Sequence, residues 1–293
     1  EKGLEDLVRD LVRVPALPKP PLGVSPFSQE ARNIGEPTRI IGPMGITESA
    51  PHVLDDEWFE RQQTAAARGI KALGFCGHME VRFGLLHHEI SISQAELLTA
   101  VQNSQIDTFG WPIAVTLDID EYRPRPCGDG IRAEISIVKD SSSSSKSYDY
   151  WAVRRNGDFF LLQNLFEDMR GNNLMFFDTR IIRVAEAFLF ASSLYTNLNV
   201  PPEASLSAQI SHRGLAGRML MASKRDWYSR GPKISHEEEA KEEIPVAMGS
   251  IKDDLVDIVR HFTQPLFMLF DFQEFPEQKY ADIVRRFEQG IHP

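Results

Sequence analysis

Three groups of residues in this sequence are of types and spacings that could do chemistry. The first is acidic: Asp118, Asp120 and Glu121 end an alternating apolar run, and Asp129 and Glu134 follow closely. Carboxylates gathered at a strand end can hold Mg²⁺, because that ion prefers hard oxygen ligands, and the metal then assists phosphoryl transfer. Asp118, Asp120 and Glu134 are the set that a metal-dependent nuclease or phosphodiesterase would use here. No lysine lies two residues beyond Glu134, where a common nuclease pattern has one. The second group is Cys76, His78, His87 and His88, all donors that zinc accepts, at spacings that match no standard zinc site. The third is the strip 213–233, where Arg213, Arg218, Lys224, Arg225, Arg230 and Lys233 face one acid, Asp226. Trp227 and Tyr228 are interleaved, so basic groups could neutralise phosphates while aromatic rings stack on bases. The acidic run EEEAKEE follows at once and would offset that charge.

Other chemistries lack their residues. There is no G-x-S-x-G and no recognisable Ser, His and Asp set for nucleophilic catalysis. No glycine loop of the kind that cradles phosphates occurs, which argues against ATP binding. No cofactor is expected, apart from Mg²⁺ on the acidic reading.

The elements that must position these residues are legible from periodicity. Thr179 to Leu198 is apolar almost all the way round at helical spacing, with a thin polar seam of Arg183, Glu186, Ser193 and Asn197. Such a helix must be covered on most sides, so it is expected to be the spine of a core, capped by Asp178 or Thr179. Arg183 and Glu186 argue against its spanning a membrane. Asp55 opens a helix that closes at Gly74, and Ser93 with Glu96 forms a capping box for another. Alternation predicts strands at 79–83, 113–119 and 131–137.

Asn156-Gly157 predicts a two-residue hairpin joining 148–155 to 158–165. That register sets Arg155 opposite Asp158, Val153 opposite Phe160 and Trp151 opposite Leu162. Both faces of the hairpin are apolar, so it should be sandwiched, with the spine helix on one side. Residues 206–210 and 218–222 suggest a second hairpin through His212–Gly217. The stretch 223–243 reads as irregular, and 244–248 as a returning strand. Ser250 should cap a helix that Pro265 ends, and Pro276 should start the last one.

These elements predict an α+β fold, mostly antiparallel sheet with hairpins packed around the buried helix 179–198. The expected organisation is an N-terminal amphipathic helix and Pro-rich arm over 1–37, an α/β unit over 38–140 and an α+β unit over 148–293. The last two could form one domain, with the polyserine tract 141–145 between them.

At 293 residues, 42% apolar and 25% charged, the composition is that of an ordinary soluble protein. A formal charge of −10 disfavours wrapping nucleic acid with the whole surface. Two distant cysteines, Cys76 and Cys127, make no disulfide framework and suit a reducing cytoplasm.

The strings QIDTFGWPIAVTLDIDEYRPRPCGDGI (105–131), YDYWAVRRNGDFFLLQNLFED (148–168) and TRIIRVAEA (179–187) carry a resemblance. The chain, over roughly 40–293, is similar to the C-terminal part of bacterial proteins that carry, upstream, a DNA-binding module of the AlbA/Schlafen kind. The module's own acidic and lysine-bearing core motif is not among these residues, and no site residue carries over. The resemblance implies a role beside nucleic acid, in defence against phage or mobile DNA. The expected function is therefore a non-catalytic regulatory or scaffolding region that docks a protein partner or self-associates. The alternatives are the metal-dependent nuclease and direct nucleic-acid binding through 213–233.

Overall fold

A computed structural model describes residues 55–106, 110–138, 146–170, 173–224 and 231–291. The chain divides into two compact units, Glu1–Ala50 and Pro51–Pro293, and every described residue belongs to the second. The expected arm over 1–37 and the polyserine tract lie outside the described residues.

Among the described residues seven strands form one antiparallel sheet in the order β2-β3-β4-β5-β1-β7-β9. They are β1 (His78–Leu86), β2 (Arg125–Cys127), β3 (Gly130–Val138), β4 (Lys146–Arg154), β5 (Phe159–Asn164), β7 (Ser205–Arg213) and β9 (Glu239–Ala247). Two short strands, β6 (Leu174–Phe176) and β8 (Met219–Met221), pair in parallel as a separate ribbon. The fold is α+β, as the periodicity predicts. Strands β3 and β4 flank the polyserine tract and pair along their whole length, so the described parts of 38–140 and 148–293 share one sheet.

Helix α1 (Asp56–Leu73) covers one face of the sheet. Its start and stop follow from the sequence: the Asp55 carboxylate accepts from Trp58 N, and Gly74 takes the left-handed conformation, φ +69°. Trp58, Phe59, Ala66 and Ile70 bury against Tyr148, Tyr150, Ala152, Phe160 and Leu162.

The other face carries α2 (Gln94–Asn103), α3 (Phe177–Asn197), α4 (Leu255–Met268) and α5 (Glu277–Glu288). Helix α3 is the expected spine. It packs on α2, α4 and α5, which explains why it is apolar around nearly its whole circumference. Aromatic rings tie the layers: Phe83 of β1 meets Phe188 of α3 at 5.6 Å, and Phe188 meets Phe262 of α4 at 5.2 Å.

Several expectations need correction. The hairpin turn has three residues, 155–157, so Val153 faces Phe159, Trp151 faces Leu161 and Tyr150 faces Leu162. This one-residue shift exchanges the faces of the second strand. Local polar bonds hold the longer turn: the Asp158 carboxylate takes Arg154 Nη2 at 2.5 Å and Asn156 Nδ2 at 3.0 Å. The hairpin is sandwiched as predicted, α1 on one side and α3 on the other.

Residues 113–119 are not a strand. Their backbone groups bond side chains instead: Glu186 takes Ile113 N, Trp151 Nε1 donates to Val115 O, and Gln105 Nε2 donates to Ala114 O. Strands β7 and β8 do not form a hairpin, because β8 pairs with β6. Part of the acidic run expected to be irregular is strand β9, paired with β7. Helix α4 begins at Leu255 rather than at Ser250, and Pro265 lies inside it. Helix α3 has no side-chain cap on its own N-terminal residue.

At its far end α3 locks the hairpin directly: Tyr195 Oη donates to Gly157 O at 2.8 Å, with both groups enclosed. Tyr195→Phe removes that donor and leaves the carbonyl without it, so it should cost about 1–2 kcal/mol of stability. Urea denaturation with an unchanged m-value is the measurement that checks it.

Candidate functional site

The charged residues that the fold gathers lie at the end of the sheet where α3 begins. Strand β1 starts there, β5 and β7 end there, and the 3-10 turn Phe166–Arg170 connects β5 to β6. Arg180, in the first turn of α3, and Glu167, in the 3-10 turn, form an ion pair 3.1 Å apart with both side chains enclosed. Glu167 also accepts Phe176 N at 2.9 Å. That donor is one of those a helix start leaves without an intrahelical partner, so Glu167 does the work of the missing cap.

Asp168 is the second hub. Its Oδ2 accepts Cys76 N at 2.9 Å and Gly77 N at 2.8 Å, and its Oδ1 pairs with Arg218. Arg218 is 3% exposed, and its Nη1 also donates to Leu174 O at 3.0 Å. The turn His212–Arg218 thereby clamps β1, β6 and the 3-10 turn together. Gly214 (φ +73°) passes so close that an added Cβ would lie 1.9 Å from Cys76 O.

A third pair sits one turn along α3: Arg183 Nη1 reaches Glu186 Oε2 at 2.7 Å and Trp111 O at 3.0 Å. Glu186 is wholly enclosed. Each of these carboxylates therefore has a guanidinium partner, the arrangement a low-dielectric interior demands.

Two buried titratable groups are handled differently. Asp149 of β4 is 5% exposed, and its described hydrogen bond is a 3.5 Å contact from Ser147 Oγ. Burial pushes its carboxyl up to about 7, against the pull of Arg183. His212 of β7 is 1% exposed, and its Nε2 has no hydrogen-bond partner among the described residues. Burial, then the nearby Arg180 and His78, push the imidazole well below its ordinary range, so it is neutral.

The sequence-predicted site residues fare differently. Asp120 pairs with Arg123 at 3.1 Å in the loop before β2, whereas Glu134 on β3 accepts Tyr148 Oη at 3.0 Å. Among the described residues no group of three or more His, Cys, Asp or Glu side chains is placed to hold a metal, and Asp118, Asp120 and Glu134 are not brought together as one. The candidate zinc donors are not brought together either. His78 opens β1 and His87 follows its last residue, which sets them roughly 30 Å apart at a strand rise of about 3.3 Å per residue. Cys76 is exposed and contributes its backbone N–H.

Of the basic strip, Arg218 is enclosed with Asp168, and Arg213 pairs with Glu239 at 2.9 Å. Lys233 Nζ donates to Asp271 O at 3.0 Å, and Lys224 is exposed. Arg225, Trp227 and Arg230 lie outside the described residues.

Sequence reasoning missed Asp149, Glu167, Asp168, Arg180 and His212. His212 had a signal: it continues the inward alternation of Leu206, Ala208 and Ile210, and an imidazole at an inward position should have raised the question of its partner.

No family model matches the chain, and neither a curated protein nor a solved structure is similar to it.

Glu167→Gln should destabilise the protein by about 3 kcal/mol, because it leaves Arg180 enclosed without its counter-charge. Thermal and urea unfolding measure that. Asp149 makes a pH-dependent contribution. Its native value of about 7 lies above the unfolded value of 3.8, so the native state alone holds the proton between them. That stabilisation is present near pH 4, falls as pH rises through this window, and is gone above 7. Asp149→Asn should therefore raise stability at pH 8 by about 2 kcal/mol and leave it nearly unchanged at pH 4. Denaturation midpoints at the two pH values decide it.

Proposed function

We propose that this chain is a non-catalytic docking region that receives a basic segment of a protein partner along β9, in a nucleic-acid-associated bacterial system. The observation that carries this reading is the outer strand itself. Strand β9 is an edge of the sheet, with no strand beyond it among the described residues. Glu239, Lys241 and Glu243 are exposed along one row, and the run 237–243 has five glutamates against one lysine. Pro245 withholds one backbone donor, so pairing by strand addition alone is disfavoured and charge selects the partner.

The remaining support is the way the fold uses its charges. Arg180, Arg183 and Arg218 serve the interior, and the acids that could hold a metal stand in separate elements. The resemblance to AlbA/Schlafen-associated bacterial proteins supports the setting, with defence against phage or mobile DNA as its purpose. Cys76 and Cys127 are both free thiols, which fits a reducing cytoplasm. No described helix is long and apolar enough to cross a membrane.

The partner recovered with the chain from its native host should dissociate as salt is raised. The E242K/E243K double substitution should weaken the complex about tenfold or more while the fold, read by circular dichroism, is kept. Affinity that is indifferent to both salt and this reversal would exclude β9 as the contact. Mg²⁺-dependent cleavage of DNA or RNA by the purified chain, abolished by D118N/D120N, would establish the phosphodiesterase reading instead.

A further inference from the structure

Most of the surface obeys ordinary rules, but the turn after α4 breaks two of them at one residue. Asp271 and Phe272 are both left-handed, at φ +52° and φ +55°. This conformation suits glycine and, less well, asparagine or aspartate; for a bulky residue it is strained. Asp271 is compensated, since its Oδ2 accepts Ile234 N at 3.3 Å and its carbonyl accepts Lys233 Nζ at 3.0 Å. Phe272 is not. The residue is 82% exposed, far more than any other large apolar residue among those described. Neighbouring rings behave normally: Phe270 is wholly buried and Phe275 is 7% exposed. The chain thus hides the aromatics on both sides and holds this one out.

The turn that displays it is pinned. Phe272 N donates to Met268 O at 3.1 Å, Gln273 N donates to Phe270 O at 3.2 Å, and Ser235 bridges to Phe270. Strain concentrated where the surroundings over-determine it is a mark of functional positions, and an aromatic ring on a rigid support is the usual anchor of a protein interface. The surroundings give the partner's chemistry. Asp271 and Glu274 are exposed on either side of Phe272 in sequence, and the bridged segment at Ser235 leads within three residues to exposed Glu237 and Glu238. Lys233 is engaged at the Asp271 carbonyl, and the exposed charges of these two segments are mostly acidic, so an aromatic plug here calls for an apolar hole with a basic rim.

We propose that Phe272 is the anchor by which this chain docks, its ring entering an apolar pocket rimmed by Lys or Arg side chains on the protein partner. The inference rests on the docking reading above and adds the position and shape of the contact to it.

The test places the photo-crosslinking residue p-benzoylphenylalanine at position 272 of the full chain in its native host, with positions 119 and 138 as exposed controls. The purified partner is then titrated against wild type, F272A, F272G and E242K/E243K. The proposal expects a discrete adduct from 272 alone, mapped to an apolar cavity flanked by basic residues. It also expects at least a tenfold loss of affinity for F272A and F272G. F272G should melt no lower than wild type, since glycine relieves the left-handed strain, so lost binding cannot be read as lost folding. No adduct, an adduct to a second copy of this chain or to nucleic acid, or unchanged affinity in F272A would overturn it. If E242K/E243K releases the partner and F272A does not, the anchor is wrong and the docking reading stands. If neither releases it, both fall.

Discussion

A helix without a hydrophilic side is the constraint on which this structure depends. Helix α3 exposes only a thin seam, so every other direction must be closed by something apolar. Burying each large side chain contributes about 1.5–3 kcal/mol, and leaving a face open would forfeit that along its whole length. The fold answers with a sheet on one side and α2, α4 and α5 around the rest. That solution forces the first turns of α3 into the interior, and those turns carry Arg180, Arg183 and Glu186. The ion pairs at the end of the sheet are the consequence: a guanidinium enclosed by apolar layers needs a carboxylate at contact distance. The charged cluster is thus derived from the packing and need not have been gathered for chemistry.

The same logic separates what the amino-acid sequence announces from what it conceals. Elements set by their own residues are readable in advance. Asp55 and Gly74 bound α1, the Ser93–Glu96 box starts α2, and the 3.6-residue periodicity marks α3 as central. Elements set by distant partners are not. The run 113–119 alternates like a strand, yet its backbone is bonded by Glu186, Trp151 and Gln105 from three other segments. The acidic run before Ile244 has poor strand propensity and is a strand because β7 offers it a partner along its length. The hairpin register failed by one residue for a local reason. Asp158 prefers Arg154 and Asn156 to the position opposite Arg155, and a pattern of apolar faces cannot see that choice.

The candidate sites show the same division. Donors close in sequence looked like sites, but β1 separates His78 from His87, and Asp120 and Glu134 find separate partners. The residues that do converge, Glu167, Asp168, Arg180, His212 and Arg218, come from the 3-10 turn, a helix, a strand and a loop. Only the topology brings them together.

If the chain docks a partner as proposed, its specificity must come from what lies outside these enclosed ion pairs. An edge strand is the most reactive feature a sheet can leave there, since it offers unpaired backbone groups to any extended chain. Here the edge carries Pro245 and alternating charge, which suppress indiscriminate strand addition; on the docking reading, a charge-matched partner is still admitted. Charge alone attracts without fixing register, because exposed pairs are individually weak and screened. A rigid apolar anchor supplies what they lack: it excludes water at one point and sets the orientation about it. On the docking reading, Phe272, exposed in a turn bridged to the segment that enters β9, is the residue proposed to supply that anchor.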